Sequence, residues 1–237
     1  MPDIRIGCSG WNYPDWGGRF YPAGLPRKDW LRLYASVFDT VELNYSFYHL
    51  PLEATLRRWR EEAGAGLAWS VKASRFITHV KRLRDAAGPV RTFLERLSLV
   101  SPRGPVLFQL PPSLKSDPGL LASFLDFLPA GRRYAMEFRH ASWLARPCLD
   151  QLRRAGVAFC VSDTAGRYPC REELTADFAY VRLHGHERLY ESPYTRSQLK
   201  AWARKVRRWD VDAFVYFDNT IGANAAANAR EMKELLA

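Results

Sequence analysis

The segment FAYVRLHGHERLYESPYTRSQLKAWARKVRRWDVDAFVYFDNT, residues 178–220, contains one complete strand–helix–strand unit. Its ends are β-rich runs, FAYVRLHG from Phe178 and AFVYFDNT from Ala213. Between them, Leu199, Trp202, Ala203 and Val206 fall at i, i+3, i+4 and i+7, while Arg204, Lys205 and Arg208 take the other side. That period belongs to a helix with its apolar stripe against a sheet. In the first run Val181 and Leu183 share one face and Arg182 and His184 the other, because strand side chains alternate.

Outward from this unit the pattern repeats. IRIGCSGW from Ile4, TVELNYSF from Thr40, LAWSVKAS from Leu67, PVLFQLPP from Pro105, YAMEFRH from Tyr134 and AFCVSD from Ala158 bring the number of candidate strands to eight. Their starts lie about 30 residues apart on average, the length of one βαβ unit. Helical patterns are predicted over Asp29 to Phe38, Leu52 to Ala63, Val90 to Leu99, Leu120 to Leu128 and Ala223 to Leu236. The sixth connection, SDTAGRYPCREELTAD, is only weakly periodic and predicts a loop with at most one helical turn.

Eight strands alternating with helices, without a linker or low-complexity boundary, predict an α/β fold with one domain over residues 1–237, a single (β/α)8 TIM barrel. The alternative is an open doubly wound sheet. It would place a Gly-rich phosphate loop after the first strand, where SGWNYPDWGG is not GxGxxG.

Composition fits such a chain: of 237 residues, 47% are hydrophobic and 25% charged, which excludes disordered and fibrous classes. No apolar run reaches the roughly 18 to 20 residues of a membrane span, and MPDIRIGCSGW has no signal-peptide core, so a cytoplasmic protein without membrane contact is expected. Cys8, Cys148, Cys160 and Cys170 form no CxxC pair and are expected to be free thiols. The formal net charge of +10 favours anionic partners. Arg57, Arg58, Arg60 and the basic run Arg204 to Arg208 nevertheless sit on amphipathic helical patterns and read as solvated faces.

In a barrel of this kind the active site lies at the C-terminal ends of the strands. Strand alternation turns Glu42 and Asn44, Glu137 and Arg139, and Arg182 and His184 away from the apolar helix layer and into the lumen, where Lys72 and Gln109 are expected to join them. Buried ions need partners. They can close the barrel as an internal salt-bridge network, or some can be arranged to meet a substrate; the second reading is preferred, because a core built only for stability would use Val, Ile and Leu.

The blocks GCSGWNYPDWGGRFYP, VELNYSFYHLP, KASRFITH, QLPP, EFRHASW, YVRLHG and FDNT resemble, in order, the motifs of the YecE-like family, also called domain of unknown function 72. The resemblance spans nearly the whole chain and implies a TIM barrel without fixing an activity. Some members have been compared with barrel endonucleases that act on damaged DNA, which implies a nuclease alternative. The matching positions are Trp11, Tyr13, Glu42, Asn44, Phe47, Tyr48, Lys72, Thr78, His79, Gln109, Glu137, Arg139, His140, Trp143, Asp163, Arg182, His184, Gly185 and Asn219. Asp218 stands where the family more often has asparagine.

Four chemistries compete. A metal site can be assembled from the HxH pair His184 and His186 with Glu137, Asp163 and His79, but cations crowd the same region, so no metal and no cofactor is expected. Glu42 and Glu137 form a conceivable glycosidase pair, which the same cations disfavour. Cysteine nucleophiles lack an adjacent base. Anion recognition fits best, with Lys72, Arg139 and Arg182 meeting a phosphate or carboxylate. The expected function is therefore acid–base catalysis, as a hydrolase, lyase or isomerase, on a small anionic ligand. Glu137, His184, Glu42 and Asp163 are the catalytic candidates; Lys72, Arg139, Arg182, Asn44, Gln109, Asn219, Trp11, Tyr48, His79 and Trp143 are the binding candidates. The alternatives are a metal-dependent nuclease acting on DNA and a non-catalytic barrel that binds a ligand or nucleic acid. Oligomeric state is not set by the sequence.

Overall fold

Each of the eight β-rich runs forms a parallel strand: β1 (Ile4–Cys8), β2 (Thr40–Leu43), β3 (Ala68–Lys72), β4 (Val106–Gln109), β5 (Tyr134–Glu137), β6 (Ala158–Asp163), β7 (Phe178–Leu183) and β8 (Asp212–Phe217). The computed structural model describes residues 1–100 and 104–237. Hydrogen-bonded order is β1-β8-β7-β6-β5-β4-β3-β2, and Ser9 forms a bridge with Glu42 that brings β2 back beside β1. The sheet is therefore a TIM barrel and not an open doubly wound sheet, whose strand order would reverse at a switch point.

The β1–β2 seam is held by a side chain as well as by backbone. A Cβ on Gly7 would come within 2.1 Å of the Thr40 carbonyl oxygen, so only glycine permits this approach. Beside it the Tyr34 hydroxyl accepts from the Cys8 N–H at 2.7 Å and donates to the Thr40 carbonyl at 3.0 Å. One phenol thus satisfies a donor and an acceptor on the two facing strands.

Around the strands lie α1 (Trp30–Val37), α2 (Tyr45–Tyr48), α3 (Glu53–Ala63), α4 (Ala87–Leu97), α5 (Pro118–Asp126), α6 (Arg146–Arg154), α7 (Arg196–Trp209) and α8 (Asn224–Leu236). The stripe on α7 behaves as its period predicts: Leu199, Ala203 and Val206 are buried, and Thr195 caps the helix in a capping box with Gln198. Two features depart from expectation. The run TVELNYSF is a strand only to Leu43; Asn44 turns into helical geometry and leads into α2. And α6, unassigned from sequence, buries Cys148, Leu149 and Leu152 among five charged or amide side chains that blur its period. The sixth connection carries no helix, as predicted.

Strand alternation divides the apolar interior in two. Outward residues such as Val41, Val71, Phe108, Met136, Val181 and Phe217 join the helices in the main core. Inward residues Leu107, Ala135, Ala158, Cys160, Phe178, Tyr180, Phe214 and Tyr216 form a separate cluster inside the barrel. Cys8, Cys148 and Cys160 are buried free thiols, whereas Cys170 is exposed. No helix among the described residues is long and apolar enough to cross a membrane.

Candidate functional site

Within the lumen, residues two apart on each strand climb toward its C-terminal end. Above the apolar floor comes a hydroxyl layer. Tyr216 donates to Ser70 Oγ at 2.6 Å and lies 2.7 Å from Thr40 Oγ1. Tyr180 donates to Glu42 Oε2 at 2.6 Å.

The next layer is ionic and centred on Arg182, which is 0% exposed. Its Nε reaches Glu42 Oε2 at 3.0 Å, and its Nη2 reaches Glu42 Oε1 at 2.8 Å and Asp218 Oδ2 at 3.0 Å. Its Nη1 donates to Glu137 Oε2 at 2.6 Å. Ser9 Oγ adds a donor to Glu42 Oε1 at 2.6 Å, and Arg139 Nε one to Glu137 Oε1 at 2.7 Å. The internal salt-bridge network weighed from sequence is thus present, and it meets the requirement that buried charges be paired.

This network sets the protonation of its members. Burial alone would push the Glu137 carboxyl up, but the Arg139 and Arg182 guanidiniums, with His184 and Lys72 behind them, hold it well below the usual carboxylate range. Asp218 follows the same balance: burial opposes ionisation, and Arg182 and His184 outweigh it. His184 Nδ1 lies 2.8 Å from Asp218 Oδ2, with the ring turned so that the contact is poorly aligned as a hydrogen bond.

At the mouth the character changes. Lys72, at the end of β3, is only partly buried, and its Nζ stands 4.3 Å from the centroid of the Phe47 ring. The carboxylates below it are already engaged by Arg182 and Arg139. Burial, and then the Arg182 charge, pull the Lys72 ammonium down to about 8, against the opposing pull of Glu137. His79 packs edge-on against Phe47 at 5.0 Å and pairs through Nδ1 with Thr78 Oγ1 at 2.9 Å. Its burial and the Lys72 charge lower it to about 4, so it is neutral at ordinary pH. Arg139 lies over the Tyr168 ring at 4.4 Å. Asn44 Oδ1 is buried without a hydrogen-bond partner, and Gln109 makes one weak contact, Nε2 to the Leu110 carbonyl at 3.3 Å.

The structure thus brings Glu42, Lys72, Gln109, Glu137, Arg139, Arg182 and His184 onto the lumen faces of their strands, with Asn44 and His79 at the mouth. Other candidates stand apart. Ser162, not Asp163, has the inward phase on β6; Asp163 Oδ2 lies 2.8 Å from His186 Nδ1 at the edge of a cavity of about 540 Å3 that also meets Trp202 and Lys205 of α7. Trp143 is fully buried, stacked on Phe138 and donating to the Leu114 carbonyl. Trp11 packs edge-on against both Trp59 and Trp69, which stack on each other. Asn219 donates to the Ser192 carbonyl and to Asn228 Oδ1, tying β8 to α8. Tyr48 is 65% exposed on the rim.

His184 and His186, read as one HxH pair, serve different carboxylates, because Gly185 at φ +106 turns the chain between them. Among the described residues no group of three or more His, Cys, Asp and Glu side chains is placed to hold a metal ion. Ser9 and Asp218 are legible in the sequence as polar strand-end residues, Asp218 as an added carboxylate, but without an assigned role; Tyr180 is not among the sequence candidates, although strand alternation puts it on the face of Arg182. Tyr168 comes from an irregular loop, where no period marks it.

The family described as "Protein of unknown function DUF72" matches residues 5–237. The UPF0759 protein YecE of Escherichia coli strain K12 is 27% identical over 232 residues, covering 87% of this chain and 82% of that protein. The UPF0759 protein YunF of Bacillus subtilis strain 168 is 26% identical over 269 residues, covering 98% and 94%. A crystal structure of a DUF72 family protein from Thermotoga maritima is 28% identical, with a TM-score of 0.88 over 99% of both chains.

Proposed function

We propose, from the premise that the chain belongs to the DUF72 family, that its strand-end pocket binds a small anionic substrate bearing a phosphate or carboxylate and performs acid–base chemistry on it, as a hydrolase, lyase or isomerase. One observation carries this reading. Lys72 is a partly buried cation beside Phe47, above carboxylates that two arginines already occupy. A desolvated charge of this kind gains most from an anion arriving from solution.

The roles follow from position. Lys72 and Arg139 hold the anion, Lys72 as a point charge and Arg139 as a planar fork. Asn44 and Gln109 offer amide groups with hydrogen-bonding capacity to spare. His79, held neutral, can donate to a substrate oxygen without adding charge. Glu137 and His184 are the acid–base pair: Glu137 ionised between two guanidiniums, His184 beside the Asp218 carboxylate. Glu42 and Arg182 form the platform that fixes these groups, since each polar atom of theirs faces a protein partner. Cationic side chains here take the place a metal ion has in related chemistries.

Thermal melting in the presence of inorganic phosphate tests the reading. A ligand that binds only the folded state raises the melting temperature by mass action. Phosphate should raise it in the native protein, and Lys72→Met and Arg139→Gln should each remove most of the gain. Equal gains in all three proteins would overturn the assignment.

A second reading, nucleic-acid binding, draws on the rim. Tyr48 and Phe76 are 65% and 47% exposed, and the exposed Arg75 precedes Phe76 in the chain. Bases can stack on such aromatics while phosphates meet the cations. Salt-dependent binding of a single-stranded oligonucleotide that is lost in Tyr48→Ala would favour this reading; no binding at low salt would remove it.

A further inference from the structure

We propose that Lys72 is a covalent catalyst, its amine forming an imine with the carbonyl carbon of an anionic aldehyde or ketone such as an oxo acid or a phosphorylated carbonyl compound. This rests on the reading of the pocket as an anion site and adds a reaction to it. A lysine becomes nucleophilic when it is desolvated or placed near other cations, so that the neutral amine is populated. Lys72 meets both conditions. Packing against Phe47 takes water from its Nζ, and the charges of Arg182 on β7 and of Arg139, two residues past the end of β5, oppose its ammonium. The carboxylates that would stabilise the ammonium, Glu137 on β5 and Asp218 just past β8, are themselves engaged by arginine or lie beside histidine. His79, on the connection after β3, is neutral and adds no charge of its own.

The position also suits the reaction. Lys72 is the last residue of β3, at the C-terminal end of the barrel strands, and its side chain is partly exposed. Arg139 would hold the phosphate or carboxylate of the same substrate.

The step balances without an oxidant or reductant. The ammonium gives a proton to solvent, and the Nζ lone pair forms a bond to the carbonyl carbon while the C=O π pair moves to oxygen. A proton passes from nitrogen to that oxygen, giving a carbinolamine. The oxygen takes a second proton from solvent and leaves as water, and the nitrogen lone pair closes the protonated C=N bond. Addition of one water reverses the sequence and frees Lys72. The protonated imine withdraws electrons from the neighbouring carbon, which is what loss of a proton or of a carbon fragment there requires.

The test uses pyridoxal 5′-phosphate as the anionic aldehyde, followed by borohydride reduction at pH 8 and peptide mass spectrometry. Lys72 should be labelled at least about tenfold faster than the exposed Lys28, Lys115 and Lys200, the neutral amine being the reactive form. Inorganic phosphate should protect it, and Lys72→Arg should melt like the native protein and lose the fast label. Labelling confined to the exposed lysines would overturn the imine while leaving the anion site standing, if phosphate still stabilises the protein through Lys72. Absence of both the fast label and the phosphate effect would overturn both.

Discussion

Arg182 and Glu42 face each other across the barrel in a two-by-two contact, Nη2 to Oε1 at 2.8 Å and Nε to Oε2 at 3.0 Å, with Arg182 and Glu42 both fully buried. Glu137 and Asp218 share the same guanidinium. The three carboxylates converge on one cation, and removing that cation leaves them facing one another in a medium that solvates charge poorly. Arg182→Met should therefore lower the unfolding free energy by about 3–5 kcal/mol, the cost of breaking a buried pair by deleting one partner. Urea denaturation measures it, and a change below about 1 kcal/mol, the scale of an exposed pair, would contradict the geometry.

The barrel seam has its own test. In Tyr34→Phe the Cys8 N–H loses its acceptor and the Thr40 carbonyl the tyrosine donor. The expected loss is about 1–3 kcal/mol, because a buried backbone group is left unmatched. Tyr48→Phe, at an exposed position, serves as control and should be neutral.

Acid should weaken the fold through Glu137 and Asp218. Both are held below the ordinary carboxylate range in the folded protein. Their contribution is thus fully present above the unfolded carboxyl value, about 4, and is lost as pH falls from there toward the depressed native values. Stability plotted against pH should drop below that point, and Glu137→Gln should flatten the drop. An unchanged slope in the variant would place the acid sensitivity elsewhere.

Anion binding should fade in base. Lys72, lowered to about 8, loses its proton as pH rises through that value, and with it the attraction for an anion. Sulfate, whose charge is constant over this range, should stabilise the native protein at pH 7 and much less at pH 9. In Lys72→Arg the stabilisation should persist to pH 9, because a guanidinium stays charged. The same depressed Lys72 makes the unliganded fold gain stability between about pH 8 and 10.5, where the unfolded chain binds the extra proton.

Elemental analysis addresses the metal alternative. Protein purified without chelator should carry less than about one equivalent of tightly bound transition metal, since guanidiniums beside Glu137 and His184 repel a second cation. Stoichiometric zinc, manganese or iron that disappears in Glu137→Gln or His184→Ala would establish a metal centre and favour the nuclease reading.

The sequence by itself determined the barrel and the lumen faces. Eight β-rich runs at regular spacing have few ways to pair, and alternation along a strand is a local property, so Glu42, Glu137, Arg182 and His184 could be turned inward before any contact was known. Only the tertiary structure decided which charges are free. Arg182 and Lys72 look alike as cations at strand ends, yet one is saturated by carboxylates from three other strands and the other stands over Phe47. Asp163 and His186 pair away from the lumen because Asp163 is out of phase by one residue on β6 and Gly185 reverses the local turn. Pairing depends on distances between segments far apart in the chain, and burial makes those distances decisive: where water is excluded, a carboxylate a few ångströms nearer changes a binding group into a structural one.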